Sequence, residues 1–341
     1  MKKPFRLPFF LTALLLVSQV VCQARPQHGY SADDPDFPSP DGSCAVGHRP
    51  LAAGREVKTI AFYLQDGVEV LDFAGPLEVF TSAGYQVFTV TKAAGPITSQ
   101  GVLRIQPDYT LQNAPKADIV AFFGGNSNAV FKDPEVQAWL RAQQDVAYYF
   151  SVCTGALMLA EAGILDNQVA TTFHSTLDKL QRDYPAVDVR RQVRFVDNGR
   201  VITTAGISAG IDGALHLVAK LQGLNAAKRT AYYMEYDNWK PGDGLLLAPD
   251  NPYTKLPAAK DLAPYTGTYQ YPDGQQLVIK PSPHPGELLA VVGQNSYPLY
   301  YERENEFSNV AGKPVVFQRG TGRKVTGYSL EQTGPVYQKQ R

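Results

Sequence analysis

The sequence predicts an α/β protein with a mostly parallel sheet, followed by a smaller antiparallel β unit. Three features predict it. From Val57 onward, short and continuously apolar runs alternate with helix-forming stretches, the pattern of buried parallel strands joined by helical crossovers. From about Tyr265 the texture changes to brief β-rich runs separated by turn signals. Between these, the apolar run Val146–Val152 ends at Cys153 and passes directly into an alanine- and leucine-rich stretch, FSVCTGALMLA over Phe150–Ala160. That predicts a strand turning straight into a helix with a thiol at the corner.

The chain opens with MKKPFRLPFFLTALLLVSQVVCQARP. Lys2, Lys3 and Arg6 form a basic start, Leu7–Val21 is uncharged and mostly apolar, and Cys22-Gln23-Ala24 has the small-x-small form of a cleavage site. This is the three-part pattern of a secretory signal peptide, placed at residues 1–24. The apolar run is short for a spanning helix, so contact with a membrane is expected only through the signal. A lipoprotein signal using Cys22 fits less well, because Val21 stands where a small residue is required; an uncleaved anchor is the third option. Residues 25–54 are polar and rich in Pro, Gly and Asp, which predicts a disordered linker. Cys44 and His48 are spaced like half of a metal site, but no second half lies nearby.

The α/β domain is expected over residues 55–238. Lys58–Leu64 reads as a buried strand. Pro76–Ala83 reads as a short helix with proline in its first turn. Tyr85–Thr91 is a strand, and Ile97–Ile105 holds two short strands around Gly101. Asp118–Phe123 is a strand ending in Gly124-Gly125, and Pro134–Gln144 is a helix with Asp133 as its N-cap. Val146–Val152, Thr154–Ala162, Ser175–Tyr184, Val193–Val196, Val201–Thr204 and Ala209–Leu221 complete the series. Residues 239–262 are Pro-rich without periodicity and predict an interdomain linker. Residues 263–334 predict a small antiparallel barrel or sandwich. No long helix follows, so no helix-turn-helix module is expected.

Composition narrows the function. Over 341 residues, 32 Lys and Arg balance 32 Asp and Glu, which argues against nucleic acid as a partner. The 19 tyrosines lean toward β structure or an aromatic-lined site. There are three cysteines, Cys22, Cys44 and Cys153. With Cys22 removed and Cys44 in the tether, a structural disulfide is not expected, and an unpaired cysteine in an exported chain points to a reactive thiol.

The chemistry centres on Cys153. At a helix N-terminus the unpaired amides and the macrodipole favour thiolate; a small buried core residue is the plainer alternative. Ligands of parallel sheets bind at the carboxyl ends of the strands, where Cys153, Gly124-Gly125 and the turn after Leu64 all fall. Asp72, in GVEVLDFAGPLEVF, could hold and return a proton for the thiol, or could cap the helix ahead of Pro76. Gly124 and Gly125 could bring backbone amides to a developing oxyanion, or simply form a tight turn. Gly206-Ile207-Ser208-Ala209-Gly210 fits the G-x-S-x-G elbow of serine hydrolases. Its partners do not fit: Asp212 and His216 stack along one helix face rather than toward Ser208, and His284 lies in the other unit. Ser208 is better explained as an N-cap. His174 is a candidate base or a helix-start residue.

The ordered motifs GVEVLDFAGPLEVF, FFGG, SVCTGALMLAEAGILD, ATTFH and TTAGISAGIDGAL resemble the ThiJ/PfpI superfamily over roughly Val57–Gly223, and most closely its isonitrile hydratase-like branch and the ligand-sensing domains of related regulators. The resemblance implies a class I glutamine amidotransferase-like, flavodoxin-like α/β sandwich of three layers, usually a homodimer. It implies Cys153 as the nucleophile, Asp72 as its acid, Thr154 as a participant, and the backbone of Gly124 and Gly125 at the oxyanion position. Many members carry histidine directly after the Thr-Thr pair. Here Phe173 intervenes before His174, which disfavours a glyoxalase- or deglycase-type role for that histidine. The C-terminal stretch resembles the small β domain attached to serine β-lactamase-like hydrolases. The expected protein is thus an exported, cysteine-dependent hydratase acting on a small electrophile without metal or organic cofactor. A non-catalytic small-molecule sensor is the alternative.

Overall fold

In the computed structural model, residues 57–125, 130–253, 256–271, 274–330 and 335–340 are described. The expected signal peptide and tether, with Cys22, Cys44 and His48, lie outside the described residues.

Strands with apolar residues at every position need cover on both faces, and they receive it. In β1 (Thr59–Tyr63), Ile60 and Phe62 face one core while Ala61 and Tyr63 face the other. The same alternation runs through β6 (Ile119–Phe122) and β7 (Tyr148–Val152). With β2 (Gln86–Thr91), β5 (Tyr109–Thr110), β10 (Phe195–Asp197), β11 (Val201–Thr204) and β12 (Leu245–Leu246), they form an eight-stranded sheet of order β12-β10-β11-β7-β6-β1-β2-β5. Only the β10–β11 pair is antiparallel. Helices α1 (Val70–Ser82), α5 (Ala209–Gln222) and α6 (Leu224–Tyr233) supply residues to the core on one face. Helices α2 (Pro134–Ala142), α3 (Ala156–Glu161) and α4 (Leu177–Asp183) supply the other. This is the three-layer, mostly parallel α/β sandwich the sequence predicts.

Several elements differ from expectation. Helix α1 begins at Val70 rather than Pro76, so Pro76 lies inside it. A proline there cannot bond the carbonyl of Asp72, four residues earlier. The expected helix Thr154–Ala162 is a 3₁₀ turn over Cys153–Gly155 followed by only the six residues of α3. Residues 239–262 are more than a linker. They carry β12 at the sheet edge and the short helix α7 (Ala259–Leu262), and they bury Trp239. Within this stretch Tyr253 also meets His216 of α5, its hydroxyl 2.8 Å from Nδ1, and the other ring nitrogen lies 2.8 Å from Asp197. The structure adds elements that the sequence reading does not include: helix α6, β5, β8 (Val169–Ala170) and β9 (Asp188–Val189). The expected hairpin around Gly101 is present as β3 (Ile97–Ser99) and β4 (Leu103–Ile105), and Asp133 caps α2 by accepting from the Glu135 and Val136 amides.

The C-terminal unit is a closed barrel of eight antiparallel strands, β13 (Gly267–Gln270) through β20 (Tyr337–Lys339), rather than a sandwich. Strand β20 closes it by pairing with β13 and β19 (Val325–Ser329), so the unit extends past the expected boundary at 334. Closure removes the exposed edges of the sheet. Tyr265, Tyr269, Phe307, Phe317 and Tyr328 fill the interior with edge-on and tilted ring contacts.

Candidate active site

Strands β1, β6, β7 and β11 are parallel neighbours, so the residues after each meet at one sheet edge. β7 delivers Cys153. Its φ of +59° is rare for a residue with a side chain, and it marks a sharp elbow. The elbow is held on both sides: the Cys153 amide donates to the Ala205 carbonyl at 2.8 Å, and Thr172 Oγ1 donates to the Cys153 carbonyl at 2.7 Å. Gly155 is required next, because a Cβ there would stand 2.4 Å from the Phe122 carbonyl oxygen.

The loop after β1 leads into α1, whose first turn carries Asp72. Asp72 is fully buried and is held inside the helix rather than capping it. Two backbone amides fix its carboxyl group: Gly124 donates to Oδ2 at 2.9 Å and Ile207 donates to Oδ1 at 3.0 Å. Close helix packing makes the second bond reachable. A Cβ on Gly75 would lie 2.7 Å from the Ile211 side chain, and one on Gly210 would press on Val152 and Pro76, so the two glycines let α1 and α5 approach. The thiol completes the group: Cys153 Sγ and Asp72 Oδ2 flank one point, each 2.8 Å from where a Cβ on Gly124 would stand, and each perturbs the ionisation of the other.

The electrostatics correct one expectation. Burial raises Asp72 to about 6, against the lowering effect of the Gly124 and Ile207 amides and the thiol, while Glu69 adds to the upward push. Cys153 is also pushed up rather than down, first by burial and then by the charge of Asp72; the Thr154 amide, aimed at the sulfur, acts in the opposite direction. The short helix α3 offers little macrodipole to reverse this. Cys153 is 6% exposed, so the site is nearly enclosed, and the Asp72 carboxyl stands beside it. What the site holds at rest is a thiol paired with an acid that titrates near neutrality.

Of the expected site residues, Cys153, Asp72, Thr154 and Gly124 converge. The Gly124 amide is engaged by Asp72, so what it steadies is the acid rather than a substrate oxyanion. Gly125, at φ +103°, has no room for a side chain between Gly67 and Glu69. His174 is exposed, its ring 4.2 Å from that of Phe173. Phe173, not His174, packs on the peptide at Gly206, where a Cβ would come within 2.3 Å of its ring.

Ser208 occupies the N-cap position of α5, as expected, but its side chain makes no capping bond; Arg194 donates to it at 3.3 Å instead. Asp212 is taken by Arg194 and Tyr236, and His216 by Asp197 and Tyr253, so no serine triad forms. The G-x-S-x-G segment serves the cysteine site through the amide of Ile207. The roles of that amide, of Thr172 at the Cys153 carbonyl and of Glu69 beside the acid are not readable in the sequence.

This constellation of a cysteine elbow, a buried acid and glycine amides at the edge of a parallel sheet defines a nucleophile-elbow α/β protein. Residues 58–220 match the DJ-1/PfpI family. The isonitrile hydratase of Pseudomonas putida is 35% identical over 187 residues, covering 54% of this chain and 81% of that enzyme. The HTH-type transcriptional regulator CdhR of Pseudomonas aeruginosa is 28% identical over 169 residues, 48% of this chain and only 50% of the regulator. The crystal structure of a ThiJ/PfpI family protein from Pseudomonas syringae matches with a TM-score of 0.51 and 30% identity, over 57% of this chain and 84% of that one. The chain belongs to the DJ-1/PfpI family.

Proposed function

We propose that this protein is an exported, cysteine-dependent enzyme that adds water to a small electrophile, with an isonitrile as the preferred substrate class. The observation that carries the reading is the Cys153 thiol set beside a buried carboxyl group that is raised to about 6 and fixed by two amides. Such an acid changes protonation at little cost near neutral pH.

In this mechanism Asp72 takes the thiol proton as sulfur attacks the terminal isonitrile carbon. The S–C bond forms and the proton passes to that carbon, giving an enzyme thioimidate, Cys153–S–CH=N–R. Water then adds to the same carbon. Asp72 removes its proton and delivers it to nitrogen. The C–S bond breaks, the hydroxyl proton returns through Asp72 to sulfur, and an N-substituted formamide leaves. Thr154 orients the acid or the water. The balance is R–NC plus water to R–NH–CHO. The 35% identical isonitrile hydratase supports this choice of substrate.

Export rests on the signal-like residues 1–24, and the homodimer on family resemblance. A second reading, ligand sensing without turnover, is favoured by the enclosed and unactivated sulfur. Glyoxalase- or deglycase-like activity has less support, because His174 is exposed behind Phe173. A panel of isonitriles, methylglyoxal and acyl esters separates the three. Formamide release from isonitriles supports the hydratase; saturable binding with no turnover of any compound overturns it in favour of a sensor.

A further inference from the structure

A cavity of about 160 Å³ lies at the seam between the α/β domain and the barrel, lined by residues separate from the cysteine site. Helix α6 and the segment after it form one side; β15 (Glu287–Val292), β16 (Asn295–Arg303) and the turn before β15 form the other. The seam is tied directly: Asn225 donates to the Tyr301 carbonyl at 2.7 Å and Arg229 to Ser308 Oγ at 3.1 Å.

Tyr232, Tyr236, Trp239 and Tyr300 give the cavity aromatic walls, and Lys228 and Glu287 give it opposite charges. Both charged side chains are more than nine-tenths buried, at 6% and 9% exposure. Lys228 Nζ donates to the Pro285 carbonyl at 2.5 Å and stands 3.9 Å from Glu287 Oε2, too far for a hydrogen bond. Ser282 occupies the other Glu287 oxygen. An ammonium has three donors and a carboxylate about four acceptor sites, so both groups keep unused capacity across a gap that a single hydroxyl can bridge. Burial pushes Lys228 below the ordinary lysine range, in keeping with incomplete solvation.

We propose that this seam binds a neutral, ring-shaped polyol of monosaccharide size. An anion would meet Glu287 and Asp237, and a cation would meet Lys228. A hydroxyl donates to the carboxylate and accepts from the ammonium at once. The aromatic faces cover the C–H face of a sugar ring. The volume is comparable to the roughly 150 Å³ of an engineered cavity that admits benzene. A ligand held by both domains stabilises the folded protein by mass action.

The chain has two tryptophans, so Trp139→Phe leaves Trp239 as the only reporter, inside the cavity. This variant is titrated with D-glucose, D-galactose and N-acetyl-D-glucosamine, with fluorescence and thermal melting as readouts. A saturable change with Kd on the order of 1 mM, accompanied by a higher Tm, is expected for at least one sugar. Tyr232→Ala and Glu287→Gln should each weaken it about tenfold. Tyr232 is 38% exposed, so its loss leaves the fold intact, which circular dichroism verifies. No response to any of the three sugars overturns the proposal. So does a response that both variants leave unchanged, or saturation by acetate or tetramethylammonium instead.

Discussion

The Gly124 amide donates to Asp72 Oδ2 at 2.9 Å, and the space above that glycine is closed by the same carboxyl and by Cys153. A Cβ on Gly124 would stand 2.8 Å from Asp72 Oδ2 and 2.8 Å from Cys153 Sγ. Glycine is demanded by this contact alone, since Gly124 is absent from the positive-φ residues. Gly124→Ala should therefore force the acid and the thiol apart, lower Tm through a cost of about 1–3 kcal/mol, and remove turnover. Gly101→Ala is the control. Its Cβ meets open space, so the φ of +74° brings a backbone penalty without touching the site. Melting curves and formamide release distinguish the two; equal activity in both variants would refute the packing argument.

In the proposed mechanism Cys153 supplies the sulfur of the thioimidate. Cys153→Ala should reduce turnover by roughly a thousandfold or more while circular dichroism stays unchanged. Thr154→Val should leave a partial rate, because the Thr154 amide that faces the sulfur is retained. Full activity in Cys153→Ala would eliminate the mechanism.

The pH profile follows from the direction of the two shifts. Asp72 must be ionised to accept the thiol proton, and its carboxyl lies at about 6. Below that value kcat/KM should fall about tenfold per pH unit, with a plateau above it. Asp72→Glu retains a carboxyl group but misplaces it relative to the Gly124 and Ile207 amides, so its profile should shift as well as drop. A profile that is flat from acid to neutral pH would show that Asp72 does not carry the proton.

Much of this site is legible in the sequence, and the reason is local. Val146–Val152 running into Cys153 and Thr154-Gly155 states a strand-to-helix corner in consecutive residues. The Gly124-Gly125 pair after an apolar run states a close approach. Asp72 was visible only as a candidate, because a carboxyl at a helix start has two ordinary uses. Ile207 was invisible: it acts through its amide, at a φ of +54°, and no side chain advertises that. Helix α6 was hidden for a different reason. It buries Lys228 and Arg229 against the barrel, and polar residues on that face erase the apolar period.

The role of residues 239–262 was hidden because Trp239 and Tyr253 are anchored by distant partners. Tyr253 meets His216 at 2.8 Å, and His216 in turn meets Asp197, to which Lys220 also donates at 2.9 Å. Tyr253→Phe would leave a buried ring nitrogen without its partner, at a cost of about 1–3 kcal/mol. Chemical denaturation should show the whole α/β domain losing stability. A change confined to the barrel would mean that the segment is only a tether.

Asp72 also makes stability depend on pH in an unusual direction. Most buried carboxyl groups that gain a partner are lowered, and they stabilise the fold above their unfolded value. Asp72 is raised to about 6, mainly by burial. Its contribution is therefore fully present below the unfolded value of about 3.9 and is lost as pH rises through about 6. The shift of roughly two units corresponds to about 3 kcal/mol. Asp72→Ala removes this dependence but leaves the Gly124 and Ile207 amides without acceptors, so it is the less stable protein in acid. The gap in unfolding free energy between the native protein and Asp72→Ala should narrow by about 2–3 kcal/mol between about pH 4 and pH 7, as read from denaturant melts at fixed pH. A gap that widened over that range would place the carboxyl below its ordinary value, and the acid would then be too weak a base to take a proton from the thiol.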